Sequence, residues 1–157
     1  MTKAVAIVCD IDGTLADNSH RIKFIKDPNG QIKKDWQTYR HLSPRDTSFD
    51  WCVEFLRGMQ ISGYKILFLT GRNESERDVT TEWLMNHVGF LFDDDGAPNL
   101  YMRDDGDYSQ DYTMKRKVME REILPKYEVL VCIDDRKQCV EMFRGLGLVC
   151  LQCQDHD

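Results

Sequence analysis

Apolar residues fall in short runs along this chain, separated by stretches of helical periodicity. Four runs read as buried strands: Ala4–Cys9, Tyr64–Leu69, Val129–Ile133 and Leu148–Leu151, with a weaker fifth at Asn99–Met102. Between them, the segment from Ser48 to about Gln60 places Phe49, Val53, Leu56 and Gln60 on one stripe, with Thr47 or Ser48 as cap and Gly63 as stop. Glu74–His87 gathers Val79, Trp83 and Leu84 on one side. Tyr112–Leu124 carries Met114, Val118, Met119 and Ile123 and stops at Pro125, and Arg136–Leu146 carries Val140 and Phe143. Alternating strands and helices predict an α/β fold: one parallel sheet with helices on both faces. Two stretches break the pattern. Ala16–Thr47 is polar and predicts two short helices, around His20–Ile25 and Asp35–Leu42, joined through the turn Pro28-Asn29-Gly30. Val88–Asn99 reads as an acidic loop, and the spacing of Asp93-Asp94-Asp95-Gly96 does not match a twelve-residue calcium loop.

Composition narrows the class without naming a function. With 157 residues, 41% hydrophobic and 31% charged, the chain predicts one soluble domain with a real core. No apolar run approaches the roughly 18–20 residues of a membrane span. The N-terminal run is too short for a signal peptide, so a cytoplasmic location is expected. A net charge of −6 does not favour polyanion binding overall but leaves room for a local basic surface. Of the six cysteines, Cys9 and Cys132 lie in apolar strand-like runs and Cys52 and Cys139 on expected helices, which reads as small buried hydrophobes. Cys150 and Cys153 form a C-x-x-C inside an expected strand, where residues three apart face opposite ways, so zinc and redox readings are weak.

The chemistry gathers at strand ends. Asp10 and Asp12 follow the first strand directly, and Gly13 and Thr14 turn the chain behind them. Thr70, Gly71 and Arg72 follow the second, Asp134 and Asp135 follow a third, and Lys115 lies on the first turn of a helix. A parallel sheet brings such ends to one edge, where ligands of open α/β sheets bind. Four carboxylates in one pocket repel, and a divalent cation is their natural neutraliser. An all-oxygen set with few protein ligands suits Mg²⁺. A hydroxyl, backbone amides, a Lys and an Arg suit a tetrahedral anion. One carboxylate can attack a phosphoryl group while its neighbour exchanges protons. These residues point to metal-assisted phosphoryl transfer.

The sequence Asp10-Ile11-Asp12-Gly13-Thr14-Leu15, then Thr70-Gly71-Arg72, Lys115 and Asp134-Asp135, resembles the four motifs of the haloacid dehalogenase (HAD) superfamily in order. Ser19-His20-Arg21, Tyr101-Met102-Arg103, Asp107, Ile133-Asp134-Asp135-Arg136 and Gly147–Gln152 extend the likeness to the 3′-phosphatase domain of bacteriophage-type polynucleotide kinase/phosphatase. The resemblance implies a Rossmann-like HAD sheet with a short cap-like insert. It implies that Asp10 is the nucleophile and a metal ligand, and that Asp12 is the acid/base, its carbonyl a second ligand. Thr70 and Gly71 would hold phosphate, and Lys115 would neutralise the aspartyl-phosphate. Asp135 is the preferred third ligand, with Asp134 behind the metal waters or Lys115, the order within the pair being open. Arg72 and Arg21 would meet the substrate's phosphate. For Arg103 and Asp107 a loop salt bridge is the plainer reading, and His20, His41 and His87 read as surface or packing residues. The closing Gln154-Asp155-His156-Asp157 departs from the family pattern and is expected to bear little on catalysis.

The substrate is the open question. No G-x-x-x-x-G-K-[ST] occurs, so no P-loop kinase activity is expected of this chain. The insert from Ser19 to Arg45 holds seven basic residues against two acidic ones, interleaved with Phe24, Trp36 and Tyr39. That set suits base stacking and backbone contact with a nucleic-acid end, and equally suits two amphipathic helices burying their aromatics. The expectation is a Mg²⁺-dependent phosphatase of 3′-phosphorylated DNA or RNA ends. The alternatives are a phosphatase of nucleoside monophosphates or other small phosphomonoesters, or a non-catalytic module that binds nucleic-acid ends. No membrane partner is expected and no oligomeric partner is indicated.

Overall fold

The computed structural model describes residues 2–89 and 96–156. The expected Asp93–Asp95 loop lies outside those residues. Five strands form one parallel sheet: β1 (Ala4–Cys9), β4 (Lys65–Asn73), β5 (Asn99–Arg103), β6 (Tyr127–Arg136) and β7 (Cys150–His156), ordered β5-β4-β1-β6-β7. A two-residue antiparallel ribbon, β2 (Ala16–Asp17) with β3 (Thr47–Ser48), stands apart. The helices are α1 (Ser19–Ile22), α2 (Trp36–His41), α3 (Asp50–Ile61), α4 (Arg77–Val88), α5 (Asp111–Val118) and α6 (Lys137–Gly145).

The central strand explains the two layers. Strand side chains alternate between faces. In β1, Ile7 and Cys9 pack with Leu56, Phe68, Trp83 and Leu84, under α3 and α4. Ala6 and Val8 pack with Met114, Val118, Val140 and Phe143, under α5 and α6. Both faces are buried, which is why this strand reads as a continuous apolar run. Cys150 belongs to the second core and Cys153 lies against the first, so the C-x-x-C does point both ways. All six cysteines are free.

Several boundaries move. β4 runs on through Thr70-Gly71-Arg72, and β6 through Asp134-Asp135. The motifs are therefore the last pleats of strands rather than the loops after them. Pairing breaks register at each motif and resumes beyond it, at Asn73↔Arg103 and Arg136↔His156, which carries the strands past the end of the apolar runs. β7 shifts the same way, beginning at Cys150 and reaching polar His156. The helix expected over Tyr112–Leu124 splits into α5 and a π-turn at Met119–Ile123, closed by the Leu124 amide on the Met119 carbonyl at 2.8 Å. A 3₁₀ turn at Glu74–Glu76 precedes α4, capped reciprocally by Asn73 and Glu76.

Topology sets where a ligand can sit. From β1 the chain goes to β4 and β5 on one side, then returns to β6 and β7 on the other. The order reverses between β1 and β6, and a crevice opens at such a switch point. Asp10 follows one of these strands, and Asp134-Asp135 end the other. The insert leaves and re-enters through the β2–β3 ribbon, which pairs Ala16 with Ser48 and Asp17 with Thr47. That stem stands its helices beside the same crevice.

Candidate active site

The turn after β1 is built to aim two acids apart. The Ile11 carbonyl accepts from the amides of Thr14, Leu15 and Ala16, and the Gly13 amide donates back to Ala16. Gly13 takes φ +79°, and a Cβ there would strike the Asp135 carboxylate, so both conformation and space call for glycine. Asp10 and Asp12 leave this turn toward different neighbours.

Asp10 faces β6. Asp10, Asp134 and Asp135 are all buried and can offer one oxygen each within 4.8 Å of one another. Lys115 Nζ, itself buried, donates to Asp10 Oδ1 at 2.9 Å and Asp134 Oδ2 at 2.6 Å. Thr14 Oγ1 lies 3.3 Å from both Asp10 Oδ2 and Asp135 Oδ1. Burial, and after it the Asp134 charge, push the Asp10 carboxyl well above the usual carboxylate range, against the pull of Lys115. Burial likewise raises Asp134. Burial alone would lower Lys115, but Asp10 and Asp134 outweigh it and hold the ammonium charged.

Asp12 faces the other way, into a clamp. Arg72 Nη2 and Arg21 Nη2 reach its Oδ1 at 2.7 and 2.6 Å, and Arg72 Nε reaches Oδ2 at 3.0 Å. Behind them, buried Asp46 takes Arg21 through both oxygens, at 2.8 and 2.6 Å, and Arg72 at 3.4 Å. His20 Nε2 also meets Asp46, at 2.8 Å, and Trp83 Nε1 donates to the Asp46 carbonyl at 2.8 Å. Arg21 stacks on the Tyr39 ring, 4.1 Å from its centroid. Burial would raise Asp12, but the two guanidiniums outweigh it and bring it down to about 2. Arg21 and Arg72 were expected at the substrate's phosphate. Both line the cleft, yet both are buried and their donors are engaged by Asp12 and Asp46.

Thr70 and Gly71 close the floor. A Cβ on Gly71 would come within 2.6 Å of Asp111 Oδ1. Arg103 Nε donates to the Gly71 carbonyl at 3.0 Å and Nη1 to the Ser109 carbonyl at 2.7 Å, while its Nη2 meets Asp111. Arg136 Nη1 holds the other Asp111 oxygen at 2.6 Å. Arg103 thus fastens the Gly71 segment to the start of α5, a larger task than a loop salt bridge. Asp107 caps its own loop through Ser109, at 2.6 Å. His87 stacks on Trp83 with centroids 4.1 Å apart and is a packing residue, as expected.

Sequence reading missed Asp46, Asp111, Arg136 and His156. Asp111 carried a signal, lying four residues before Lys115 on the same helix face. Asp46 carried none, because its partners come from distant segments. His156 Nδ1 lies 2.6 Å from Asp135 Oδ2, so the C-terminal residues reach the acid cluster after all. Asp10, Asp12, Arg72, Asp111, Asp135 and His156 line a cleft of about 440 Å³, whose outer wall is Ile22, Ile25, Lys26, Trp36, Tyr39 and Arg40 of the insert.

The profile of the polynucleotide kinase PNKP phosphatase domain matches residues 4–157. The chain belongs to that family. It is an HAD-type phosphatase with the Rossmann-like HAD fold. A protein of Autographa californica nuclear polyhedrosis virus assigned as a bifunctional polynucleotide kinase/RNA ligase is 27% identical over 153 residues, covering 96% of this chain and 20% of that protein. A chain of the Pnkp1/Rnl/Hen1 RNA repair complex superposes with TM-score 0.75 at 29% identity, over 99% of this PNKP-type domain and 44% of that chain. The domain therefore spans less than half of these relatives. A phospho-aspartyl intermediate analogue of phosphoserine phosphatase shares the fold at TM-score 0.54 and 11% identity, over 99% of this chain and 96% of that one.

Proposed function

We propose that this chain is a Mg²⁺-dependent phosphomonoesterase that works through an aspartyl-phosphate on Asp10 and removes 3′-phosphate from DNA or RNA ends. The observation that carries it is the Asp10 carboxylate, buried against Lys115, Asp134 and Asp135 at the switch point of the sheet. The donor set fits a hard dication: three carboxylates and one ammonium leave two negative charges, and every candidate ligand is an oxygen. Asp10, the Asp12 carbonyl and Asp135 would hold the ion, with Asp134 fixed on Lys115 and on the Arg136 amide at 3.0 Å. When bound, Mg²⁺ would polarise the phosphoryl oxygens and neutralise developing charge.

The chain's own groups do the rest. An Asp10 oxygen attacks phosphorus, and the bond to the sugar oxygen breaks. Thr70 Oγ1 and the Gly71 amide hold phosphate oxygens, while Lys115 balances the acyl phosphate. Asp12 gives the leaving oxygen its proton and later takes one from the water that frees Asp10. In the clamp Asp12 is an anion, the form that accepts that proton. To act as an acid it must leave Arg21 and Arg72, and an entering anionic ester competes for the same guanidiniums.

The insert supports a polynucleotide over a small ester. Trp36 is half-exposed and packs edge-on to Tyr39 at 5.7 Å, beside the phosphate floor. Lys23, Lys26, Lys33 and Lys34 are exposed on the same segment, where they can track a backbone. Turnover of 3′-phosphorylated oligonucleotide, 5′-phosphorylated oligonucleotide and 3′- and 5′-mononucleotides under one condition tests this. The 3′-phosphorylated oligonucleotide should be preferred. Equal or better turnover of mononucleotides would favour the small-ester reading, and no turnover of any would leave an end-binding module.

A further inference from the structure

β7 reaches the acid cluster by an irregular path. Between the pairs Asp134↔Gln152 and Arg136↔His156, β6 advances two residues and β7 four. The two additional residues put a bulge in the edge strand, a device that re-aims side chains next to sites. The re-aimed tail lies along the Asp10–Thr14 turn. Cys153 Sγ approaches Thr14 Oγ1 at 3.6 Å, and Gln152 Nε2 donates to the Asp135 carbonyl at 3.4 Å. At the end of the tail, His156 Nδ1 meets Asp135 Oδ2 at 2.6 Å.

Asp135 is thereby gripped at both oxygens. Thr14, which also meets Asp10 Oδ2, touches Oδ1, and His156 touches Oδ2. A metal-binding carboxylate needs one oxygen turned toward the ion and the other restrained, or the side chain must be ordered each time the ion binds. Lys115 cannot supply this restraint, because its contacts are with Asp10 and Asp134. We infer that His156 is a positioning residue for the cation: Nδ1–H donates to Asp135 Oδ2 and fixes Oδ1 toward the space shared with Asp10. The inference rests on the reading of Asp135 as a metal ligand given above. Groups that orient metal ligands from behind are typically worth about 10–100-fold in metal affinity or activity.

Thermal unfolding of the full chain across a Mg²⁺ titration tests this without substrate. Mg²⁺ should raise the melting temperature with a saturable midpoint in the wild type. His156→Ala should move that midpoint up about tenfold. His156→Asn, whose amide donates from a similar reach, should stay within about threefold of wild type, well inside that loss. Steady-state kinetics on p-nitrophenyl phosphate should show the His156→Ala loss recovering as Mg²⁺ is raised. An unmoved Mg²⁺ midpoint in His156→Ala overturns the inference, whether the melting temperature simply falls or KM for substrate rises instead. Equal midpoints in the Ala and Asn variants, both raised, overturn it too. Asp135→Asn separates the two levels. If it moves the midpoint and His156→Ala does not, Asp135 remains a ligand and only the role of His156 fails. If Asp135→Asn leaves the midpoint in place, the metal reading of Asp135 fails and takes the inference with it.

Discussion

Asp10 and Asp12 stand two residues apart and enter opposite electrostatic worlds. Around Asp10, three buried carboxylates share one ammonium, so the group carries an unbalanced double negative charge. Around Asp12, two carboxylates meet two guanidiniums, and the charges cancel within the protein. Burial acts on both aspartates, but it dominates at Asp10 and is overruled at Asp12. On the proposed reading, a cation completes the first constellation. The second is complete and must open before Asp12 can move. Placing acids two residues apart on one turn would let a single motif hold the proposed nucleophile and the proposed proton carrier without their sharing an environment.

The sharpest way to break this comparison is at Asp10, the proposed nucleophile. Asp10→Asn should lower turnover of p-nitrophenyl phosphate by about 10⁴-fold or more, on the scale of losing a residue that acts as part of a catalytic unit. It should also not lower the metal-free melting temperature, because it removes one of three repelling charges. A variant that turns over normally would end the nucleophile assignment. One that unfolds early would end the account of Asp10 as a charge held against its preference.

Removing the cation comes next in size. Excess chelator should stop turnover, and returning Mg²⁺ should restore it. The incomplete cluster should then stabilise on binding, by about 2.7 kcal/mol when Mg²⁺ reaches 100 times its dissociation constant. Calorimetric scans with and without Mg²⁺ measure this. Activity retained in chelator would mean that Lys115 alone balances the cluster.

These two constellations differ in how far they could be read from sequence. The first was nearly all legible, because Asp10, Asp134 and Asp135 sit at ends of apolar runs and topology must bring those ends together. The fold was legible for the same reason: both faces of β1 are buried, so its apolar run is continuous. The second was half legible. Arg21 and Arg72 were visible as residues, but their task was not, since Asp46 comes from the far end of the insert and no period marks it. A buried ion-pair network leaves no local trace, because its members are chosen by three-dimensional proximity alone. His156 was hidden for a related reason: its strand continues where apolar alternation has already ended.

The clamp predicts an effect on stability rather than on turnover. Asp46→Asn removes the charge that ties Arg21 and Arg72 to α4 and the β3 stem, leaving buried guanidiniums under-paired. Breaking a buried pair from one side costs about 3 kcal/mol or more, read from denaturant unfolding. If the two constellations are independent, the Mg²⁺ midpoint in the same variant should not move. A shifted midpoint would show that the clamp and the cation site are coupled through the turn they share.

The smallest expected effect separates the constellations by sign. Asp12 sits at about 2, below its ordinary carboxylate value, so its contribution is full above that ordinary value and is lost as pH falls toward 2. Asp10 and Asp134 are raised, so they weaken the metal-free fold at neutral pH, and protonation relieves them as pH falls. Metal-free stability should therefore climb as pH drops from neutral toward the ordinary carboxylate range and fall below it. Asp12→Asn should flatten the acid limb by about 2 kcal/mol and leave the neutral limb sloped. Asp10→Asn should do the reverse. Urea unfolding of both variants at a series of pH values measures the two limbs. The same limb flattening in both variants would mean that the two aspartates share one electrostatic environment after all.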